Sequence, residues 1–350
     1  MTPEPLHGRV TIRDMAKQLG VSHATVSMAL RNHPRVAPAT RDAVHQLAAR
    51  LGYRPDPVLG ALAHYRQSKT QARIHAGVAW INAWRDPEEL RRFREFDAYW
   101  RGAIAEAEKS GYRLEEFRLG PDCSPARLHQ ILSARGVRGI LLPPHREAPE
   151  WEDFPWEDYA VVRFGRSLQP LPFHLVTSDH VANAVLAFQR IQARGYRRIG
   201  FVTRQAEFVS HGHWFGAGFL AAQQLVPPDE RLPIFKLDEH ATESPAAGLR
   251  EWLDRHRPEA IFTDSAQVAD LLAGLGVRVP EDLGLAVTSV LDGCADSGLD
   301  QRSEEIGRCG FKLLNAMIHE GERGAPGAQR QMTLAGTWID GRSLPVKNRE

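Results

Sequence analysis

The chain has 350 residues, 43% of them hydrophobic and 25% charged, with a net charge of +1. That length exceeds one ordinary core and predicts two to three domains. No apolar run approaches the roughly 20 residues that a membrane span needs, residues 1–9 lack the apolar core of a secretory leader, and Cys123, Cys294 and Cys309 are too far apart for a metal or redox spacing, so a soluble cytoplasmic protein with reduced thiols is expected.

The charge is unevenly spread. Residues 1–70 hold ten Lys and Arg against four Asp and Glu, which leaves this head at +6 and the remaining chain at −5. A basic head on a mildly acidic body points to a polyanionic partner for the head. Thr11 is a good N-cap for a first helix carrying Ile12, Met15, Ala16 and Leu19 at helical spacing. Gly20 sits where a left-handed residue would end it. Ser22 caps a second helix with the stripe Val26, Ala29, Leu30, and a third amphipathic helix runs from about Pro38 to Leu51, ended by Gly52. Two short helices joined by a tight turn with glycine are the helix-turn-helix signature, and Ala16, Gly20 and Val26 have the sizes a close crossing requires.

The stretch VTIRDMAKQLGVSHATVSMALRNHPRVAPATRDAVHQLAARLGYRPDPVLGALA, from Val10 to Ala63, resembles without gaps the head and hinge of the LacI/GalR family of bacterial transcriptional regulators. The resemblance implies that Ser22 to Arg31 is the recognition helix in the major groove, with His23, Ala24 and Met28 facing base edges. Thr11, Ser22, Thr25, Ser27, Asn32 and Thr40 are suited to phosphate contacts, which fix register and read no sequence. Arg31, Arg35 and Arg41 add charge on that face. Many relatives carry arginine where Met28 stands, and methionine cannot make the bidentate contact to guanine, so a different operator is expected. Met28 also has a plainer reading, half-buried against the first helix. Between Pro55 and Arg66, Pro57 suits the first turn of a helix, and Val58, Leu59, Ala61 and Leu62 follow; at about two turns it is marginal alone. In the family this is the hinge helix, which orders on DNA and wedges a leucine into the minor groove, and Leu62 matches that leucine.

From Ala76 onward short apolar strands alternate with amphipathic helices. Strands are expected at 77–81, 114–117, 139–142, 160–164, 175–178, 199–203, 233–237, 260–263, 285–287 and 331–334, with helices between them such as 96–110, 181–194, 216–224, 245–256 and 304–319. Such alternation implies parallel sheets covered on both faces, with ligands at the carboxyl ends of the strands. No glycine-rich phosphate loop is present, so no cofactor is expected. SDHVANAVLAFQRIQARGYRRIGFV, GVRVPEDLGLAV and LDQRSEEIGRCGFKLL continue the resemblance, which implies an effector domain similar to periplasmic sugar-binding proteins. That domain has two α/β lobes joined by three crossings around a small molecule, with a carbohydrate as the expected class.

Several of the family's polar ligand positions hold other residues here. Phe215 stands where an arginine is common, Ser289 replaces an acid, and Ser265-Ala266 replaces Asn-Asp. The candidates left around the cleft are Asn82, Trp84, Trp214, Phe215, Phe262, Asp264 and Ser289. An atypical or lost effector site is the alternative. The organisation expected is a helix-turn-helix head over 1–54, a hinge and linker over 55–70, and an effector-binding and dimerisation domain over 71–350. The function expected is a homodimeric repressor of a palindromic operator. A solute-binding transport protein is disfavoured by the intact head. An enzyme is disfavoured because no nucleophile elbow, carboxylate pair or metal cluster stands out.

Overall fold

The computed structural model describes residues 11–30, 36–51, 53, 76–145, 150–167, 171–205, 213–238 and 244–347. Gly52, the expected hinge at 55–70, and the site candidates Arg31, Asn32, Pro57 and Leu62 lie outside the described residues, as does Arg35.

In the head, α1 (Ile12–Leu19) opens on a reciprocal capping box. Asp14 N donates to Thr11 Oγ1 at 3.3 Å, and Thr11 N donates to Asp14 Oδ2 at 2.9 Å. Gly20 ends the helix at φ 62°, the left-handed conformation that glycine adopts without strain. Ser22 Oγ accepts from Thr25 N at 3.0 Å and so caps α2 (His23–Leu30). α3 (Pro38–Arg50) completes a small core of Met15, Ala16, Val26, Ala29, Val36, Val44, Leu47 and Ala48.

The body holds two six-stranded sheets. The first contains β1 (Ala76–Asn82), β2 (Tyr112–Arg118), β3 (Gly139–Leu142), β4 (Ala160–Phe164), β5 (His174–Ser178) and β11 (Gln331–Leu334), in the order β11-β5-β4-β3-β1-β2, all parallel. The second contains β6 (Ile199–Arg204), β7 (Phe235–Leu237), β8 (Ala260–Thr263), β9 (Gly284–Val287), β10 (Gly298–Asp300) and β12 (Thr337–Ile339), in the order β12-β10-β9-β8-β6-β7, parallel except for β12. The central strands are buried along their whole length, as the runs GILL, AVVRF, AIFT and GLAV require of strands covered on both faces.

Helices α4 (Glu89–Arg92), α5 (Arg94–Lys109), α6 (Pro125–Ala134) and α11 (Ser303–Glu320) belong to the first lobe. The second holds α7 (His180–Ala193), α8 (His213–Gln223), α9 (Pro245–His256) and α10 (Val268–Gly274). The chain crosses between lobes three times, from β5 to α7, from β10 to α11 and from β11 to β12. The expected strands appear within about two residues of their bounds. The three-residue strands β10 and β12 were not expected, because neither has an apolar run of its own: β10 is GLD, and β12 is an edge strand with alternating exposure.

Candidate functional site

The head offers one face. Ser22, His23 and Ala24 are exposed at the start of α2, and Thr11 is exposed at the cap of α1. Thr25, Ser27 and Thr40 are half-buried. Two of these hydroxyls already serve the fold: Thr11 Oγ1 donates to Asp14 at 2.7 Å, and Ser22 Oγ lies 2.8 Å from Thr25 Oγ1. Met28 is half-buried and packs against the head core, as its plainer reading required.

In the body, interactions between the lobes gather at the carboxyl ends of the strands. α5 receives no side-chain cap from its own N-terminal neighbour Phe93. Instead Asp292 of the second lobe caps it: Arg94 N donates to Oδ1 at 2.8 Å and Glu95 N to Oδ2 at 2.9 Å, while Arg94 Nη1 donates to Leu291 O at 3.0 Å. The negative carboxylate sits at the positive end of the helix, where it is favoured. Ser289 Oγ accepts from Leu291 N at 3.3 Å and Asp292 N at 3.4 Å, which shapes the loop that presents Asp292. Ser289 also hydrogen-bonds the Glu95 side chain. Burial pushes the Glu95 carboxyl up to about 7; Asp292 and Asp300 push in the same direction, and the bond to Ser289 opposes them. Burial likewise raises the Tyr99 hydroxyl, one turn further along α5.

The other end of the cleft is cationic. Arg163 lies in the middle of the buried run AVVRF and is 1% exposed. Its Nη1 donates to Gly165 O at 3.3 Å. Arg166 follows the strand, donates to Gln331 Oε1 at 3.4 Å, and lays its guanidinium 4.3 Å from the ring centre of Trp214 on α8. His145 is buried beside this loop; its Nε2 accepts from Ala83 N at 2.9 Å and its backbone N–H donates to Ser167 Oγ at 3.1 Å. Burial holds its ring down to about 4, so it is neutral at physiological pH.

Of the sequence candidates, Trp214 and Ser289 make contacts between the lobes, Trp214 with Arg166 and Ser289 with Glu95. Asp264 Oδ2 accepts from Thr203 Oγ1 at 2.9 Å. Three others are held by structural partners. Asn82 is fully buried, its amide donates to Pro87 O at 2.9 Å and to Glu116 Oε1 at 2.8 Å, and its oxygen accepts from Trp84 N at 3.0 Å, so it fixes the loop after β1. Phe215 and Phe262 belong to the second lobe's core, Phe262 against Phe201 and Phe215 edge-on to His180. Trp84 is also largely structural: its indole donates to Pro144 O at 2.9 Å, and its ring packs on Phe93. Sequence reasoning missed Arg163, Arg166, Glu95 and Asp292. The signal for Arg163 was present, since a charge inside an otherwise apolar central strand needs an explanation.

Among the described residues no group of three or more His, Cys, Asp or Glu gathers to hold a metal, and no helix is long and apolar enough to cross a membrane. The model for bacterial regulatory proteins of the lacI family matches residues 11–56, and that for a periplasmic binding protein-like domain matches residues 188–344. The HTH-type transcriptional regulator PtxS of Pseudomonas putida is 26% identical, over 97% of this chain and 98% of its own. The HTH-type transcriptional regulator KdgR of Bacillus subtilis is 23% identical, over 91% of this chain and 94% of its own. The solved complex of the transcriptional regulator CelR with cellobiose shares the fold with a TM-score of 0.57 at 23% identity, over 96% of this chain and 100% of that one. With a helix-turn-helix head and a two-lobed α/β body in one chain, this protein belongs to the LacI/GalR family of bacterial transcriptional regulators.

Proposed function

We propose that the protein represses transcription by binding, as a homodimer, a near-palindromic operator, and that a small molecule held between the lobes sets its operator affinity. The observation that carries this reading is one chain joining an exposed α2 N-terminus (Ser22, His23, Ala24) to a body whose lobes meet at their strand ends. His23, Ala24 and Met28 read bases, and Thr11, Ser22, Thr25, Ser27, Asn32, Thr40 and Arg31 hold phosphates. Leu62, five residues after Pro57, wedges into the minor groove. Closing or opening the lobes moves the two hinges of the dimer, and the difference in their DNA contacts is the coupling between the sites. The protein catalyses no reaction in this scheme.

Selection of binding sites from random DNA, followed by anisotropy titration, tests it. An inverted repeat should bind at least about 10³-fold more tightly than random DNA, at two chains per site, with an affinity that falls steeply with salt. One chain per half-site, or equal affinity for all sequences, overturns the reading. Met28→Arg should move the selected base toward guanine, worth about 1–3 kcal/mol per contact; an unchanged operator assigns Met28 to the head core alone.

A further inference from the structure

Arg163 occupies a position that a protein interior tolerates poorly. It lies on β4 between β3 and β5, all three buried throughout, with Leu142 and Leu175 as its register partners. A guanidinium has five N–H donors. Among the described residues one bond is made, to Gly165 O, and Nε is enclosed with no acceptor. Arg166 repeats the pattern: its Nη1 reaches Gln331, and its Nε is also enclosed without an acceptor. Among the described residues no carboxylate forms an ion pair with either arginine. Asp179 attracts Arg166 through space, but its Oδ1 accepts from Ala182 N at the start of α7. The two guanidinium groups also repel each other. Uncompensated buried charge is among the most costly arrangements a fold can hold, and an apolar residue would suit this strand better. The cost is explained if the pair meets an anion.

We propose that Arg163 and Arg166 are the anion-binding end of the cleft, and that the effector carries an oxyanion, a carboxylate or a phosphate, which the two guanidinium forks hold. This deepens the proposed function and rests on its reading of the cleft. The donor set fits: a planar fork matches a carboxylate or phosphate in a bidentate manner, and Arg is preferred over Lys at such sites. The placement fits as well. Arg163 bonds the carbonyl of Gly165 at the carboxyl end of β4, and Arg166 spans to Trp214 in the second lobe, so an anion held here touches an element of each lobe. Burial draws the Arg163 pKa down to about 10, which leaves it charged at neutral pH. His145 stays neutral and adds no competing charge.

The test uses the full chain at constant ionic strength, with sodium acetate and sodium phosphate as separate probes and chloride as the reference. The melting temperature should rise by about 2 °C at ten times Kd for the probe that matches the site. A rise with acetate alone assigns a carboxylate, and a rise with phosphate alone or with both assigns a site that takes phosphate. Arg163→Met should abolish the rise while leaving the anion-free protein at least as stable, because it removes a buried charge that no described carboxylate pairs; Arg166→Met should abolish it too and serves if the first variant does not fold. Two results overturn the proposal: no rise beyond chloride in the unaltered protein, or an equal rise in both variants. Operator affinity measured with the same probes separates the two readings. If the anion raises the melting temperature and operator affinity is unchanged, the anion site stands and the regulatory reading of the cleft fails. If a neutral sugar alters operator affinity while neither anion binds, the regulatory reading stands and this one falls.

Discussion

In the first lobe the strands run β2-β1-β3-β4-β5-β11, and in the second β7-β6-β8-β9-β10-β12, so the two lobes place corresponding strands at corresponding positions. The helix packing repeats as well. In the first lobe Gly307 on α11 lies against the carbonyl of Tyr99 on α5, and in the second Gly218 on α8 lies against the carbonyl of Val181 on α7. What differs is the chemistry at the cleft. The first lobe brings two arginines and a neutral histidine to the end of β4, with no acid paired to them among the described residues. The second brings hydroxyls and acids, among them Thr203, Asp264, Ser289 and Asp292, and several of these bond each other or the facing helix. One frame therefore supports opposite electrostatics, because the frame is set by the inward residues of each element and the cleft by the residues just past the strand ends.

The largest expected effect breaks the frame itself. A Cβ at Gly307 or at Gly218 would overlap a backbone carbonyl of the facing helix, which cannot swing aside as a side chain can. Gly307→Val and Gly218→Val should each cost about 3 kcal/mol, at the upper end of overpacking penalties, read as a lower urea midpoint. A loss confined to one of them would show that the two lobes are not equivalent in their packing.

Most central strands of both sheets were legible in the sequence; β10, β12 and the cleft were not. Strand runs such as GILL and AIFT announce burial on both faces, and Thr11, Gly20 and Ser22 announce the head's caps because those roles depend on local chemistry. The roles of Asn82 and Phe215 depend on tertiary surroundings. A polar amide after a strand and an aromatic on a helix both read as ligands until their neighbours are known, and here Glu116 and Pro87 absorb the first and His180 and Phe262 surround the second. The clasp of Asp292 on α5 joins residues almost 200 positions apart, and no spacing rule could link them. Arg163 was visible as an anomaly in AVVRF, but its meaning needed its surroundings, where no described carboxylate pairs with it, and only the fold supplies those.

A second prediction sharpens the contrast between the cationic and acidic ends through pH. Glu95 faces Ser289, Asp292 and Asp300 across the cleft, with Tyr99 on its own helix. Its folded value of about 7 lies above its ordinary 4.5. The stability held by the neutral carboxyl is therefore complete below pH 4.5 and is lost as pH rises through about 7. Allowing for its partial exposure, the loss should be roughly 2 kcal/mol. The melting temperature of the unaltered protein should fall over this window relative to Glu95→Gln, which keeps the bond to Ser289 without the charge. Parallel pH profiles for the two proteins would remove Glu95 from the account of the acidic end.

The smallest expected effect concerns Asp292, and it tests whether the lobes are held by the clasp or merely rest together. Asp292→Asn keeps the shape but leaves one oxygen to accept where two now serve Arg94 N and Glu95 N. It also removes the negative charge from the N-terminus of α5. Losing a cap of this kind costs about 1 kcal/mol, so the melting temperature at pH 7.5 should fall modestly, and the scattering radius should rise if the clasp keeps the lobes closed. A second consequence has the opposite sign and guards against a trivial loss of stability. Asp292 is one of the charges that raise Glu95, so removing it should move the Glu95 step from about 7 toward 4.5. A general weakening of the fold would lower the melting temperature at every pH and leave that step in place. If the variant melts lower but its pH step and radius do not move, Asp292 is a local helix cap and the lobes are closed by other contacts, with Arg166 on Trp214 the next to test.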